Sequence, residues 1–78
     1  MNRLQQAIKF IELDKWDDAH ALVQDGASKS DYLIHGLLHR IEGDMPNARY
    51  WYSQAGEVVL ENAIDDEIKR VKTLINND

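Results

Sequence analysis

Asp31-Tyr32-Leu33-Ile34-His35-Gly36-Leu37-Leu38-His39-Arg40-Ile41-Glu42-Gly43-Asp44 is the stretch on which the fold turns. From Tyr32 to Ile41 its apolar side chains fall on nearly every face of a 3.6-residue period, which is how a helix buried in the middle of a small protein reads. The polar residues inside it are His35, His39 and Arg40. Gly43 suits the left-handed stop that ends a helix, and Asp44 can cap a following one with Pro46 in its first turn. The pattern predicts a central helix over about 31–42.

Working outward, every flanking segment repeats the helical period. Leu4, Ala7, Ile8 and Ile11 make an i, i+3, i+4, i+7 stripe, with Asn2 and Gln5 placed as a capping pair. After a break at Asp14-Lys15, a second helix is predicted from Trp16 to about Gln24, with Asp17 and Asp18 in its favourable first turn. Residues 26–30 read as a loop in which Ser28 or Ser30 can cap the central helix. Beyond it, Ala48, Trp51, Tyr52 and Ala55 predict a fourth helix ending near Gly56, and Ile64, Ile68, Val71 and Ile75 a fifth over about 62–76. No segment alternates with period two. The expected class is all-α, one domain over 1–78, with hairpins over 3–26 and 31–56 and a capping helix at the end.

Composition narrows the function classes. The chain has 78 residues, no cysteine, and 14 acidic against 9 basic residues for a net charge of −5. Disulfides, cysteine-type zinc sites and thiol nucleophiles are therefore excluded. The acidic balance argues against nucleic acid or an anionic membrane as partner. The N-terminal residues lack the apolar core of a signal peptide, and no apolar run reaches membrane-spanning length, so a cytoplasmic location is expected.

The chain also holds an internal repeat. Ala7 and Ala19 are 12 residues apart, as are Gly36 and Ala48, and the two pairs are offset by 29 residues. Small residues at such points let paired helices approach closely. Tyr32-x-x-His35-Gly36-x-x-His39, then Ala48-x-x-x-Tyr52 and Ala55, resembles the tetratricopeptide repeat, and Ala7, Phe10, Ala19 and Val23 match it more weakly. The resemblance covers about residues 3–56. The repeat is shorter than the family's ~34 residues, Leu60 replaces its closing proline, and histidines occupy positions 35 and 39. The segment from Leu38 to Tyr52 also looks like small bacterial proteins of unassigned function, which implies no activity.

The resemblance implies two helical hairpins stacked as the start of a superhelix, capped by the last helix. Its concave groove would bind a partner helix, a peptide or a second copy, as in a homodimer, and would present Leu4, Ile8, Leu33, Leu37 and Ile41 with Arg40 at its edge. The residues that grip a peptide carboxylate in one branch of the family are replaced here by Leu4, Ile8, Leu33 and Leu37. Five aliphatic side chains do not stay in water, so either the chain's own helices or a partner must cover them.

A different chemistry is offered by His35-x-x-x-His39-x-x-Glu42, whose i, i+4, i+7 spacing puts two imidazoles and a carboxylate on one helical face suited to zinc or iron. His20, on the preceding helix, is the candidate fourth ligand. The spacing by itself is common and lacks the glutamate that follows the first histidine in helical metalloproteases. Histidines hydrogen-bonded to Asp, Glu or Tyr in the core, with no more than weak zinc binding and no resident cofactor, are the plainer expectation. Tyr50-Trp51-Tyr52 is expected to pack inward except for Tyr50. Asp65-Asp66-Glu67 and Lys69-Arg70-x-Lys72 are read as charges that complement the helix dipole. No phosphate loop, activated serine or paired acid–base site is present, so the chain is not expected to be an enzyme.

Overall fold

Five helices follow one another in the computed structural model, which describes residues 2–76: α1 (Arg3–Glu12), α2 (Trp16–Val23), α3 (Lys29–Ile41), α4 (Met45–Gln54) and α5 (Ile64–Asn76). Residues 1, 77 and 78 of the expected domain lie outside the described residues. No strand occurs among those described, and the fold is all-α.

The starts of α1, α3 and α4 are set by local chemistry. Asn2 caps α1 with a reciprocal bond to Gln5, and Ser28 caps α3 in the same way with Asp31. The central helix therefore begins at Lys29, two residues earlier than its apolar pattern alone indicates. Asp44 caps α4 through the Asn47 amide, ahead of Pro46 in the first turn.

The first helix of each hairpin ends in the same way. At the end of α1, Asp14 takes φ +60° and the Lys15 amide donates to the Phe10 carbonyl at 2.8 Å. At the end of α3, Gly43 takes φ +87° and the Asp44 amide donates to the His39 carbonyl at 2.8 Å. Both turns thus close with a left-handed residue and a bond back across six residues. Each launches the second helix of a hairpin, α1–α2 and α3–α4.

Small residues sit where the paired helices meet. Ala7, Ala19 and Ala48 are wholly buried, and Gly36 is buried with them. A Cβ at Gly36 would lie 2.6 Å from Cδ1 of Tyr52, so the close approach of α3 to α4 requires glycine there.

The last helix does not cap the second hairpin alone. It lies across both α3 and α1, burying Val71 and Ile75, with Ile64 and Ile68 half-buried. The core therefore runs from Ala7, Ile8 and Ile11 through Leu33, Ile34, Leu37 and Leu38 to Val71 and Ile75. A radius of gyration of 10.9 Å is close to the roughly 11.5 Å of a compact domain this long, so the five helices pack as one compact unit. Among the described residues, no helix is long and apolar enough to cross a membrane.

Candidate functional site

The three histidines of the chain meet in one place. His35 and His39 project from the same face of α3, and His20 reaches them from α2. One ring nitrogen of each lies within 4.8 Å of the others. Nε2 of His20 and Nε2 of His35 are 3.1 Å apart, so in the free protein one must donate its proton to the other. His35 and His39 are buried, and His20 is half-buried.

Aromatic rings hold the cluster in position. Trp16 stacks on His20 at 4.7 Å, and Trp51 stacks on His35 at 4.1 Å. Trp16 is itself fixed by its indole N–H, which donates to the Leu38 carbonyl at 2.7 Å. The rings of His35 and His39 are stacked 4.9 Å apart. Burial, and then repulsion from His20 and His39, pull the His35 pKa down to about 4, so this imidazole is neutral at physiological pH.

Glu42 is arranged differently from the expectation of a shared ligand set. Its Oε1 lies 2.5 Å from Nδ1 of His39, on the ring edge that the carboxylate can only accept from. The Nδ1 proton of His39 is thereby directed at the carboxylate, and in the neutral ring the lone pair then lies on Nε2. Of the four residues read from the sequence as a metal set, the structure brings together His20, His35 and His39. Glu42 bonds to Nδ1 of His39 and lies with it and Asp44 in an adjoining cluster.

The residues expected to line a groove are placed in the core instead. Ile8, Leu33 and Leu37 are no more than 2% exposed, Leu4 is half-buried, and only Ile41 reaches 37% exposure. Of the two expected covers, the chain's own helix is the one present: the apolar stripe of α5 lies on α1 and α3, because a bare aliphatic face is unfavourable in water. Arg40, expected at the groove edge, donates to Oδ1 of Asn62 at 2.7 Å and to the Asn62 carbonyl, tying α3 to the segment before α5.

One cluster escaped the sequence reading. Glu67 is wholly buried, although its position in the first turn of α5 suggested a solvent charge balancing the dipole. Its carboxylate accepts from the Tyr52 hydroxyl at 2.6 Å, from Nδ2 of Asn62 at 3.0 Å, and twice from Arg70 at 2.8 Å. Burial alone would raise this carboxyl; the bonds from Arg70, Tyr52 and Asn62 overcome that and hold its pKa down at about 2. Arg70 also donates to Glu57 at 3.1 Å, so its charge belongs to this network and not to a basic patch. The signal was available: Glu67 lies between Ile64 and Val71 on the apolar stripe, three residues before an arginine. With its carboxylate occupied by four donors, Glu67 anchors α5.

A second buried carboxylate, Asp31, stands at the start of α3. Burial would raise its pKa, but Arg3 and the hydroxyl and amide of Ser28 bond to it and hold it below the usual range. The three-residue aromatic run resolves by helical geometry: Tyr52 is in the core, Trp51 packs on His35 and Tyr32, and Tyr50 is 55% exposed. No family model, curated protein or solved structure matches this chain.

Proposed function

We propose that the chain is a small protein-binding module of tetratricopeptide-like build, which takes an amphipathic helix on the face formed by α1 and α3. The observation that supports this reading is the seat of α5. That helix already lies on the face with an apolar stripe inward and Asp65, Asp66, Lys69 and Lys72 outward. Helix-in-groove recognition needs just such a stripe, read at spacings of three and four residues.

In the free chain the face is covered, so a competing helix must displace α5 or exchange with it between two copies. Residues 55–63, which lead into α5, are not helical, and Val58 is 71% exposed within them. The connection is therefore long enough to let α5 lift, and the Glu67 cluster is its principal polar anchor. Binding strength is then set by how often the face is uncovered, since apparent affinity scales with the competent fraction.

The test is a fluorescent peptide carrying residues 62–76, titrated with the intact chain and with Ile75→Ala. Loosening the chain's own α5 should raise apparent affinity for the added helix by about tenfold. A peptide with aspartate at the positions of Val71 and Ile75 should not compete. If Ile75→Ala stays folded by circular dichroism yet takes up no peptide, this reading is refuted.

A further inference from the structure

We propose that His20, His35 and His39 form a binding site for a zinc-class divalent metal ion, one that joins α2 to α3. The sequence spacing offers only two imidazoles on one helix, which supports weak binding at most. The tertiary structure supplies a third donor from another helix, and with it the ligand count at which zinc is held by protein and keeps one position for an outside ligand.

The geometry is close to what an ion requires. Two imidazole nitrogens bound tetrahedrally at ~2.05 Å stand about 3.3 Å apart, and Nε2 of His20 and Nε2 of His35 already stand 3.1 Å apart. The third nitrogen is within 4.8 Å of both, so a modest rotation of one ring completes the set. The donors are of the right kind: nitrogen ligands of this type suit zinc, copper, cobalt and nickel better than magnesium or calcium.

Two further features belong to a metal site more than to a stack of core rings. Glu42 bonds to Nδ1 of His39 at 2.5 Å, the carboxylate behind a histidine that orients the ring and raises the basicity of the other nitrogen. His20 is half-buried where its two companions are buried, which gives an entry path and an outer face for a water or another exogenous ligand. Trp16 and Trp51, stacked on His20 and His35, restrict the rings before an ion arrives and lower the ordering cost of binding.

The experiment uses the untagged full chain, freed of metal with a chelator, and zinc alone as the probe. Calorimetric titration should give one ion per chain with a dissociation constant in the micromolar range or tighter. Cobalt(II) should produce the visible bands of tetrahedral coordination, lost on adding one equivalent of zinc. His20→Ala removes the most exposed ligand and should weaken zinc by about tenfold or more, as should Glu42→Gln through the orientation of His39. At equal zinc concentration the thermal midpoint of the native chain should also rise more than that of His20→Ala. The metal-free midpoint of each variant reports folding separately. Absence of stoichiometric binding, or zinc affinity equal in the native chain and a folded His20→Ala, would overturn the proposal.

Discussion

Glu67→Gln tests the most consequential contact that the sequence did not reveal. The substitution keeps the shape but removes the charge and turns one acceptor into a donor. The new amide faces Arg70 and Asn62, both of which donate to Glu67 at 2.8–3.0 Å. The carboxyl's drop from 4.5 to about 2 measures how strongly the folded state prefers it ionised. At about 1.4 kcal/mol for each tenfold change in the protonation equilibrium, this is worth about 3 kcal/mol. Arg70 would lose this partner but keep Glu57 at 3.1 Å, so its charge stays paired and adds less than the ~3–5 kcal/mol of a buried charge left alone. For a domain of 78 residues the total stability is roughly 4–12 kcal/mol, so the loss is a large part of it. Urea unfolding at neutral pH should give a midpoint reduced accordingly, and the thermal midpoint should fall by about 15 °C.

The pH dependence supplies an independent check on the same residue. Because the folded pKa lies below the unfolded one, Glu67 stabilises the native chain fully above pH 4.5 and progressively loses that contribution as pH falls toward about 2. Native protein should lose stability across that window. Glu67→Gln should lose less there, with a residual slope from Asp31, also held below its usual range. A variant within 1 kcal/mol of native, or an unchanged acid slope, would refute the assignment of Glu67 as the anchor of α5.

Other consequences follow from individual contacts. Gly36→Ala places a methyl 2.6 Å from the Tyr52 ring, and overpacking should cost about 1–3 kcal/mol despite the better helix propensity of alanine, as read by thermal melting. Tyr52→Phe removes the 2.6 Å bond to Glu67 and should cost about 1–3 kcal/mol in urea unfolding, with the Glu67 pKa shifting upward when followed by carbon-13 NMR. Gly43→Ala meets no atom within 4 Å but must hold φ +87°, so a loss of about 1 kcal/mol should come from backbone strain alone. Asn2→Ala breaks the reciprocal cap of α1 and should cost about 1 kcal/mol, with faster amide exchange confined to the first turn.

How much of this was legible in the chain depends on the range of the interaction. The five helices were readable because their causes are local: apolar residues three and four apart, Asn2, Ser28 and Asp44 as caps, Gly43 as a stop. The sharp end of α1 was less so, since the left-handed residue there is Asp14, where an aspartate gives a weaker signal than glycine. Of the histidine site, the pair on α3 follows from a spacing of four residues. The arrival of His20 depends on how α2 packs against α3, which no local rule specifies. Glu67 was misread because an acidic residue in a first helical turn has a satisfactory local explanation, and that explanation says nothing about which side of α5 meets Tyr52.

The sequence by itself determined an all-α chain of two hairpins and a fifth amphipathic helix, because period, capping and chain reversal act within a few residues. It also determined that an aliphatic face on α1 and α3 had to be covered. Only the tertiary structure decided what covers it and what the histidines touch. Those outcomes depend on the direction in which α5 returns across the bundle and on the angle between α2 and α3, which are settled by the joint packing of Ile8, Leu37, Val71 and Ile75 and by the burial of one carboxylate among four donors.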